Sequence, residues 1–148
     1  MNLNQVSKRK VSILIPYYTE NEKVLVFLQK RAPDAKRLPG FYGFFGGGIE
    51  IDESIEAGLE REIKEELGIN ISGYSHFAHY EFYGSIMDVF TIQVDKDFPN
   101  KIIVNEGEYG KFFSYGDVLV NQQIINQDKL VLTNFFGQIE YRDPYHFK

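Results

Sequence analysis

Three glutamates, Glu62, Glu65 and Glu66, stand at i, i+3 and i+4 in a segment that reads as a helix. Side chains at these spacings are neighbours on a helix surface, so the carboxylates repel one another unless a cation lies between them. In the same segment Ile55, Leu59, Ile63 and Leu67 recur every four residues. At about 100° per residue they form an apolar stripe roughly 120° wide. Glu65 and Arg61 project well away from that stripe, Glu62 lies at its edge, and Glu66 projects within it, between Ile55 and Leu59. A purely solvated helix would not aim a carboxylate along its core-facing side. An unpaired buried carboxylate is costly, so Glu66 requires a partner, either Arg61 or a metal ion.

Gly46, Gly47 and Gly48 stand just before this helix, after an apparent strand. Glycines there serve either a tight strand-to-helix connection or the close approach of backbone to a ligand. They do not form a P-loop, because no Gly-Lys-Ser/Thr follows, and GxGxxG is absent. The charge distribution favours a ligand. Residues 50–66 carry eight acidic and two basic side chains, while residues 1–49 carry eight basic and three acidic ones. A dense acidic block beside a basic-leaning segment, in a chain of net charge −5, suits a divalent cation and a polyanionic small molecule. It does not suit a nucleic-acid surface.

Gly47, Glu53 and the run Arg61-Glu62-Ile63-Lys64-Glu65-Glu66-Leu67-Gly68-Ile69 match the Nudix box at every specified position. The chain therefore resembles the Nudix hydrolase family, and its MutT-like branch most, with Arg31 upstream and Tyr42-Gly43-Phe44 leading into the glycines. Where many members have a proline before the glycine pair, this chain has Phe45.

The resemblance implies an α/β fold, a three-layer α/β/α sandwich with a mixed sheet. It also implies Mg²⁺- or Mn²⁺-dependent hydrolysis of a nucleoside diphosphate linked to another moiety. Carried over by residue, Glu62, Glu65, Glu66 and the Gly46 carbonyl are metal ligands. Arg61 orients the glutamates through a bidentate pair, and Glu53 supports the loop and a metal-bound water. A further acid, as ligand or general base, is expected from Asn105-Glu106-Gly107-Glu108-Tyr109, with Glu106 favoured and Glu108 the alternate. Arg31, Lys36 and Arg37 are candidates to grip phosphates, with Arg31 best placed, and Phe44 either stacks on a base or packs in the core. The substrate is expected to be a nucleotide-type small molecule, a nucleoside triphosphate first. A nucleotide sugar, dinucleoside polyphosphate or ADP-ribose is the alternative. A binding module without catalysis is disfavoured, because all four box glutamates and Arg61 are present. His76, His79 and His146 show no metal-ligand spacing among themselves and take no role.

The elements that must position these groups follow from pattern. Val11 to Tyr18 and Lys23 to Lys30 read as a hairpin about the polar turn Thr19 to Glu22, and residues 31–40 as a loop. Ser54 to Leu67 reads as the acidic helix, with Gly68 as its stop. Ile69 to Tyr83 and Ser85 to Val94 read as two strands, Lys111 to Ser114 as a short one, and Asp128 to Ile139 as a closing helix. At 148 residues, without repeats or linker-like tracts, the chain is expected to be one domain over residues 1–148. It has no cysteine, which excludes disulfides, a thiolate nucleophile and Cys-ligated metals. No apolar run is long enough for a membrane helix, and Pro16 cuts short the one run that imitates a signal peptide. The expectation is a non-secreted, cytoplasmic protein with no nucleic-acid or membrane partner. The aromatic-rich Tyr141 to Phe147 is either a homodimer interface or packing on its own core.

Overall fold

The computed structural model describes residues 8–142. Strands β1 (Arg9–Glu20), β2 (Lys23–Lys30), β3 (Tyr42–Gly43) and β4 (Phe45–Gly48) precede helix α1 (Ile55–Leu67). Strands β5 (Ser75–Phe82), β6 (Ser85–Gln93) and β7 (Tyr109–Phe113) follow, then helices α2 (Tyr115–Val120) and α3 (Asn126–Arg142).

The seven strands form one mixed sheet with the central order β3-β2-β1-β6-β5. β1 runs parallel to β6 along one edge. On its other edge its outer end pairs with β2 and its inner end with β4, both antiparallel. Successive side chains on a strand face opposite sides, and β1 supplies a core on each. Val11, Ile13 and Ile15 pack with Val131, Leu132, Phe135 and Phe136 of α3 on one face. Leu14 packs with Leu59, Ile63 and Leu67 of α1 on the other. This is the expected α/β/α sandwich, with the acidic helix on the Leu14 face and α3 on the other.

Several element bounds differ from the expectation. β1 begins at Arg9 and runs to Glu20, so the turn shrinks from Thr19–Glu22 to Asn21 and Glu22. Both turn residues have positive φ, 49° and 66°, as a two-residue hairpin of the primed type demands. Asn tolerates this conformation and Glu does not. Glu22→Gly is therefore expected to stabilise the protein by about 0.5–1 kcal/mol, the relief of left-handed strain less the greater backbone entropy of Gly. A urea midpoint that stays level or falls would show that the turn is not strained.

Only Ser75–Phe82 of the long strand expected over Ile69 to Tyr83 is strand. Gly68 and Gly73 both adopt positive φ and turn the chain twice, and Ile71 is buried beneath α1 instead of pairing in the sheet. The short strand is Tyr109–Phe113, antiparallel to β2. The closing helix is Asn126–Arg142. α2 was not foreseen. Its start is a capping box in which Ser114 and Asp117 each accept from the other's backbone N–H. Of the aromatic terminal segment, residues 143–147 lie outside the described residues, as does His146. Among the described residues no helix is long and apolar enough to cross a membrane.

Candidate active site

α1 is fixed at both ends. Ser54 caps it by accepting the Ala57 N–H at 3.0 Å, and Gly68 closes it in the left-handed conformation. From the sheet, the buried Ser12 hydroxyl donates to the Ile55 carbonyl at 2.8 Å. The first turn of the helix is thereby tied to β1, and β4 is laced to the same stretch of β1 with Gly46 opposite Ile13 and Gly47 opposite Ser12. Gly46 sits at φ +119°, and a Cβ there would strike the Ser12 carbonyl oxygen. A Cβ on Gly47 would lie 2.8 Å from the Glu62 carboxylate. The glycines thus let a helix rich in carboxylates lie directly against a strand.

Glu66 is the acid that the stripe carries inward, and it is 4% exposed. Of the two partners open from the sequence, Arg61 is not the one it meets. Its Oε2 accepts the Gly46 N–H at 2.8 Å, and among the described residues no hydrogen bond reaches Oε1. Burial pushes the Glu66 carboxyl up to about 8. The Gly46 N–H opposes that rise, Glu106 and Glu62 add to it by repulsion, and Arg31 opposes it. Burial also raises Glu62, against the pull of Arg61. Glu65 is half exposed, its Oε1 3.6 Å from the Arg61 guanidinium.

Arg61 makes four hydrogen bonds, to three partners. Nε and Nη2 donate to the two oxygens of Glu53 at 2.8 and 2.9 Å, Nη1 donates to Glu62 at 3.1 Å, and Nη2 also donates to the Gly48 carbonyl at 3.0 Å. The expected bidentate pair exists, but it is made to Glu53, and Glu62 receives a single bond. This guanidinium holds the Glu53 carboxyl down at about 2, and the Glu50 N–H, 2.9 Å from Glu53 Oε1, helps. Glu53 and Arg61 together lock the loop between β4 and α1.

The late loop is anchored on α1 too. Ile103 N–H donates to the Leu67 carbonyl, and Asn105 donates from its backbone to Glu66 and from its side chain to Glu65, satisfying carbonyls that the helix end leaves open. Glu106 is thereby carried to Glu62 and Glu66, whose carboxyls it perturbs. Glu108 acts instead on Tyr42. The structure brings Glu106, not its alternate, to the box.

A cleft of about 360 Å³ runs from Glu62, Glu66 and Glu106 past Arg31 and Phe44 to the start of α3. Val11, Ile13 and Met87 contribute apolar lining. A second hollow, about 240 Å³, shares Arg31, Glu66 and Glu106 with it and adds Lys36. Arg31 Nε donates to the Arg37 carbonyl at 2.6 Å, which ties the loop over residues 31–40 to the cleft wall. Phe44 both lines the cleft and packs against the α3-side core, so the two readings of it coexist.

Two cleft residues escaped sequence reasoning. Asp128, 8% exposed, is raised to about 7 by burial, against the pull of Arg37. Arg9 lines the cleft beside Gly48. Neither carries a signal, since an acid in a helix's first turn and a cation at a strand's start are ordinary positions.

The donor set fits a hard cation. It consists of carboxylate and carbonyl oxygens, with neither imidazole nor thiolate, as Mg²⁺ and Mn²⁺ prefer. Among the described residues no three such side chains are already arranged to hold an ion. Glu65 is turned toward Arg61.

Residues 8–135 match the NUDIX domain. The chain belongs to the Nudix family. It is 36% identical over 78 residues to the oxidized purine nucleoside triphosphate hydrolase of Mus musculus, covering 50% of this chain and 47% of that one. It is 42% identical over 60 residues to the nucleoside triphosphatase NudI of Enterobacter sp. (strain 638), covering 40% and 41%. The chain thus spans less than half the length of these curated relatives. Its Nudix fold matches a MutT structure from work on Aliivibrio salmonicida and Vibrio cholerae with a TM-score of 0.70 at 22% identity, covering 89% and 99%. It matches the Nudix domain of Shewanella oneidensis NrtR, solved with ADP ribose, with a TM-score of 0.72 at 14% identity, covering 92% and 91%. Sandwich, mixed sheet and MutT-like box therefore stand as expected.

Proposed function

We propose that this Nudix protein is a pyrophosphohydrolase that cleaves a phosphoanhydride bond of a nucleoside triphosphate. The observation that carries the reading is the meeting of Glu62, Glu66 and Glu106 with Arg31 at one end of a cleft otherwise large and apolar enough for a nucleoside. The names of the partial relatives, both nucleoside triphosphate hydrolases, support it.

Glu62, Glu65 and Glu66 with the Gly46 carbonyl would hold Mg²⁺ or Mn²⁺. When bound, the ion neutralises phosphate charge and acidifies water. The residues of the chain do the rest. Arg31, and Lys36 in the adjoining hollow, bind phosphate oxygens. Phe44 and the apolar lining hold the nucleoside, so that the scissile bond lies against the carboxylates. Glu106 faces Glu62 and Glu66 across the site and accepts a proton from the attacking water as general base. The Glu53–Arg61 pair does not reach substrate; it holds Glu62 and the glycine loop in place.

A panel of nucleotides with Mg²⁺, assayed for pyrophosphate and phosphate release, tests the reading. Pyrophosphate from nucleoside triphosphates is expected. Turnover restricted to ADP-ribose, nucleotide sugars or dinucleoside polyphosphates would move the substrate class. Chelation should abolish turnover, with Mg²⁺ or Mn²⁺ restoring it; full activity after dialysis against EDTA would defeat the assignment of the glutamates. Arg31→Ala should raise KM about tenfold or more with a smaller effect on kcat, because a phosphate bound in the ground state loses its partner. An unchanged KM would leave Arg31 as a loop residue that only holds Arg37.

A further inference from the structure

Among the described residues, one fully buried side-chain polar atom has no hydrogen-bond partner, and it stands in the wall of the candidate active site. Gln29 is 5% exposed, and it is its Oε1 that is left unpaired. Its Nε2 donates to the Phe44 carbonyl at 3.2 Å. A carbonyl only accepts, so that bond fixes which end of the amide is which. Side chains along β2 alternate between the two faces of the sheet. Phe27 enters the core beneath α1, and Gln29 and then Arg31 carry the same face onward to the hollow lined by Lys36, Glu66 and Glu106. The strand neighbours of Gln29 are Gly43 on β3 and Gly110 on β7, so neither strand lays a side chain over the amide. Gly107, next to Glu106, lays none either; a Cβ there would stand 2.8 Å from Oε1.

We propose that Gln29 Oε1 and Glu106 together hold the water that attacks the phosphoanhydride bond. The inference rests on the pyrophosphohydrolase reading and adds to it the residue that orients the nucleophile. A buried acceptor left unpaired is costly, so Oε1 calls for a donor. Phosphate oxygens are acceptors themselves, and Arg31 and Lys36 of the same hollow are the groups that take them. Asp34, also in the hollow, is an acceptor too and cannot serve Oε1. Water is the donor that the reaction itself brings, and a hollow of about 240 Å³ has room for it beside phosphate. With one hydrogen donated to Glu106 and the other to Oε1, the water turns its lone pairs toward phosphorus. As its oxygen bonds to phosphorus, the bond to the bridging oxygen breaks and that electron pair leaves with pyrophosphate. One proton passes to Glu106, and the second hydrogen stays on the new phosphate hydroxyl. A neutral amide takes no proton at ordinary pH, so Gln29 orients the water and Glu106 alone is the base.

A double-mutant cycle on the full-length protein, with Mg²⁺ and a nucleoside triphosphate, tests this. Gln29→Met keeps the length of the side chain and removes the acceptor. It should lower kcat at least about tenfold with KM within about twofold of the parent, because the water and not the substrate loses its partner. In a Glu106→Gln background the same change should cost less than about threefold, since the two residues act on one water as a unit. A crystal structure of the metal-free parent should show a water about 2.8 Å from Oε1, a readout that needs neither turnover nor a folded variant. Parental kcat in Gln29→Met, an equal loss in both backgrounds, or a protein donor seated on Oε1 in the crystal would each overturn the water site and leave the pyrophosphohydrolase reading standing. No pyrophosphate from the parent, or full turnover in Glu106→Gln, would instead overturn that reading and the water with it.

Discussion

Glu66→Gln is expected to lower turnover by roughly two to four orders of magnitude while leaving the metal-free protein as stable as the parent or more so. The two effects share one cause. Glu66 is 4% exposed, faces Glu62 and Glu106, and has one backbone donor, Gly46, to offset them. Its carboxyl titrates near about 8 in the folded chain, against an ordinary value of 4.5. Between those values the folded state keeps a proton that the unfolded state has released. The stability of the metal-free parent therefore rises as pH falls from about 8 toward about 4.5, and falls as pH rises through that window. Glutamine keeps the shape and removes the charge, so at pH 7 it should gain on the order of 2–3 kcal/mol. The stability–pH slope should flatten without vanishing, because Asp128, raised to about 7, adds a slope of the same sign. Glu53, held down at about 2, acts oppositely, its contribution being lost only as the pH falls below the ordinary carboxylate range. Urea midpoints between pH 5 and pH 8, with and without Mg²⁺, read all of this. A variant that is less stable than the parent and keeps its activity would make Glu66 a structural acid.

Gly46→Ala should cost about 3–5 kcal/mol, enough to lower the melting temperature by roughly 10 °C. The φ of +119° is unfavourable for alanine, and its Cβ would meet the Ser12 carbonyl oxygen and stand 2.7 Å from Ile13 Cα. Both neighbours are backbone of β1, which β6 holds in place along its other edge, so neither can give. Gly47→Ala is expected to behave differently. Its Cβ would meet the end of the Glu62 side chain, which can rotate, so stability should fall little and activity should fall with the displaced carboxylate. Melting curves with kcat for both variants separate them. Parental stability in Gly46→Ala would show that the close β1–β4 approach is not what demands glycine there.

Some of this protein was legible one residue at a time. The acidic helix and its Gly68 stop follow from a four-residue repeat and from local capping chemistry, and so does the inward aim of Glu66. The hairpin of β1 and β2 follows from β-rich runs about a polar turn. These features rest on contacts within a turn or two of chain, where backbone geometry alone decides which side chains are neighbours. Even here local reading fell short where glycines interrupt it: Gly68 and Gly73 turn the chain so that the strand expected from Ile69 begins only at Ser75, and a six-residue helix opened by the Ser114–Asp117 capping box is not foreseen.

Tertiary structure decided the rest. The choice of Glu106 over Glu108 depends on Asn105 capping a helix 40 residues away. Arg61 chose Glu53 for its bidentate pair because the loop from β4 doubles back over the helix start. Asp128 and Arg9 reached the cleft through sheet order and the seat of α3, and a single bulge turned His79 to the face of Asp88. Periodicity tells which side of its own element a residue takes. Which residues from separate elements come together is set by strand register and layer packing, and one inserted residue reverses a face.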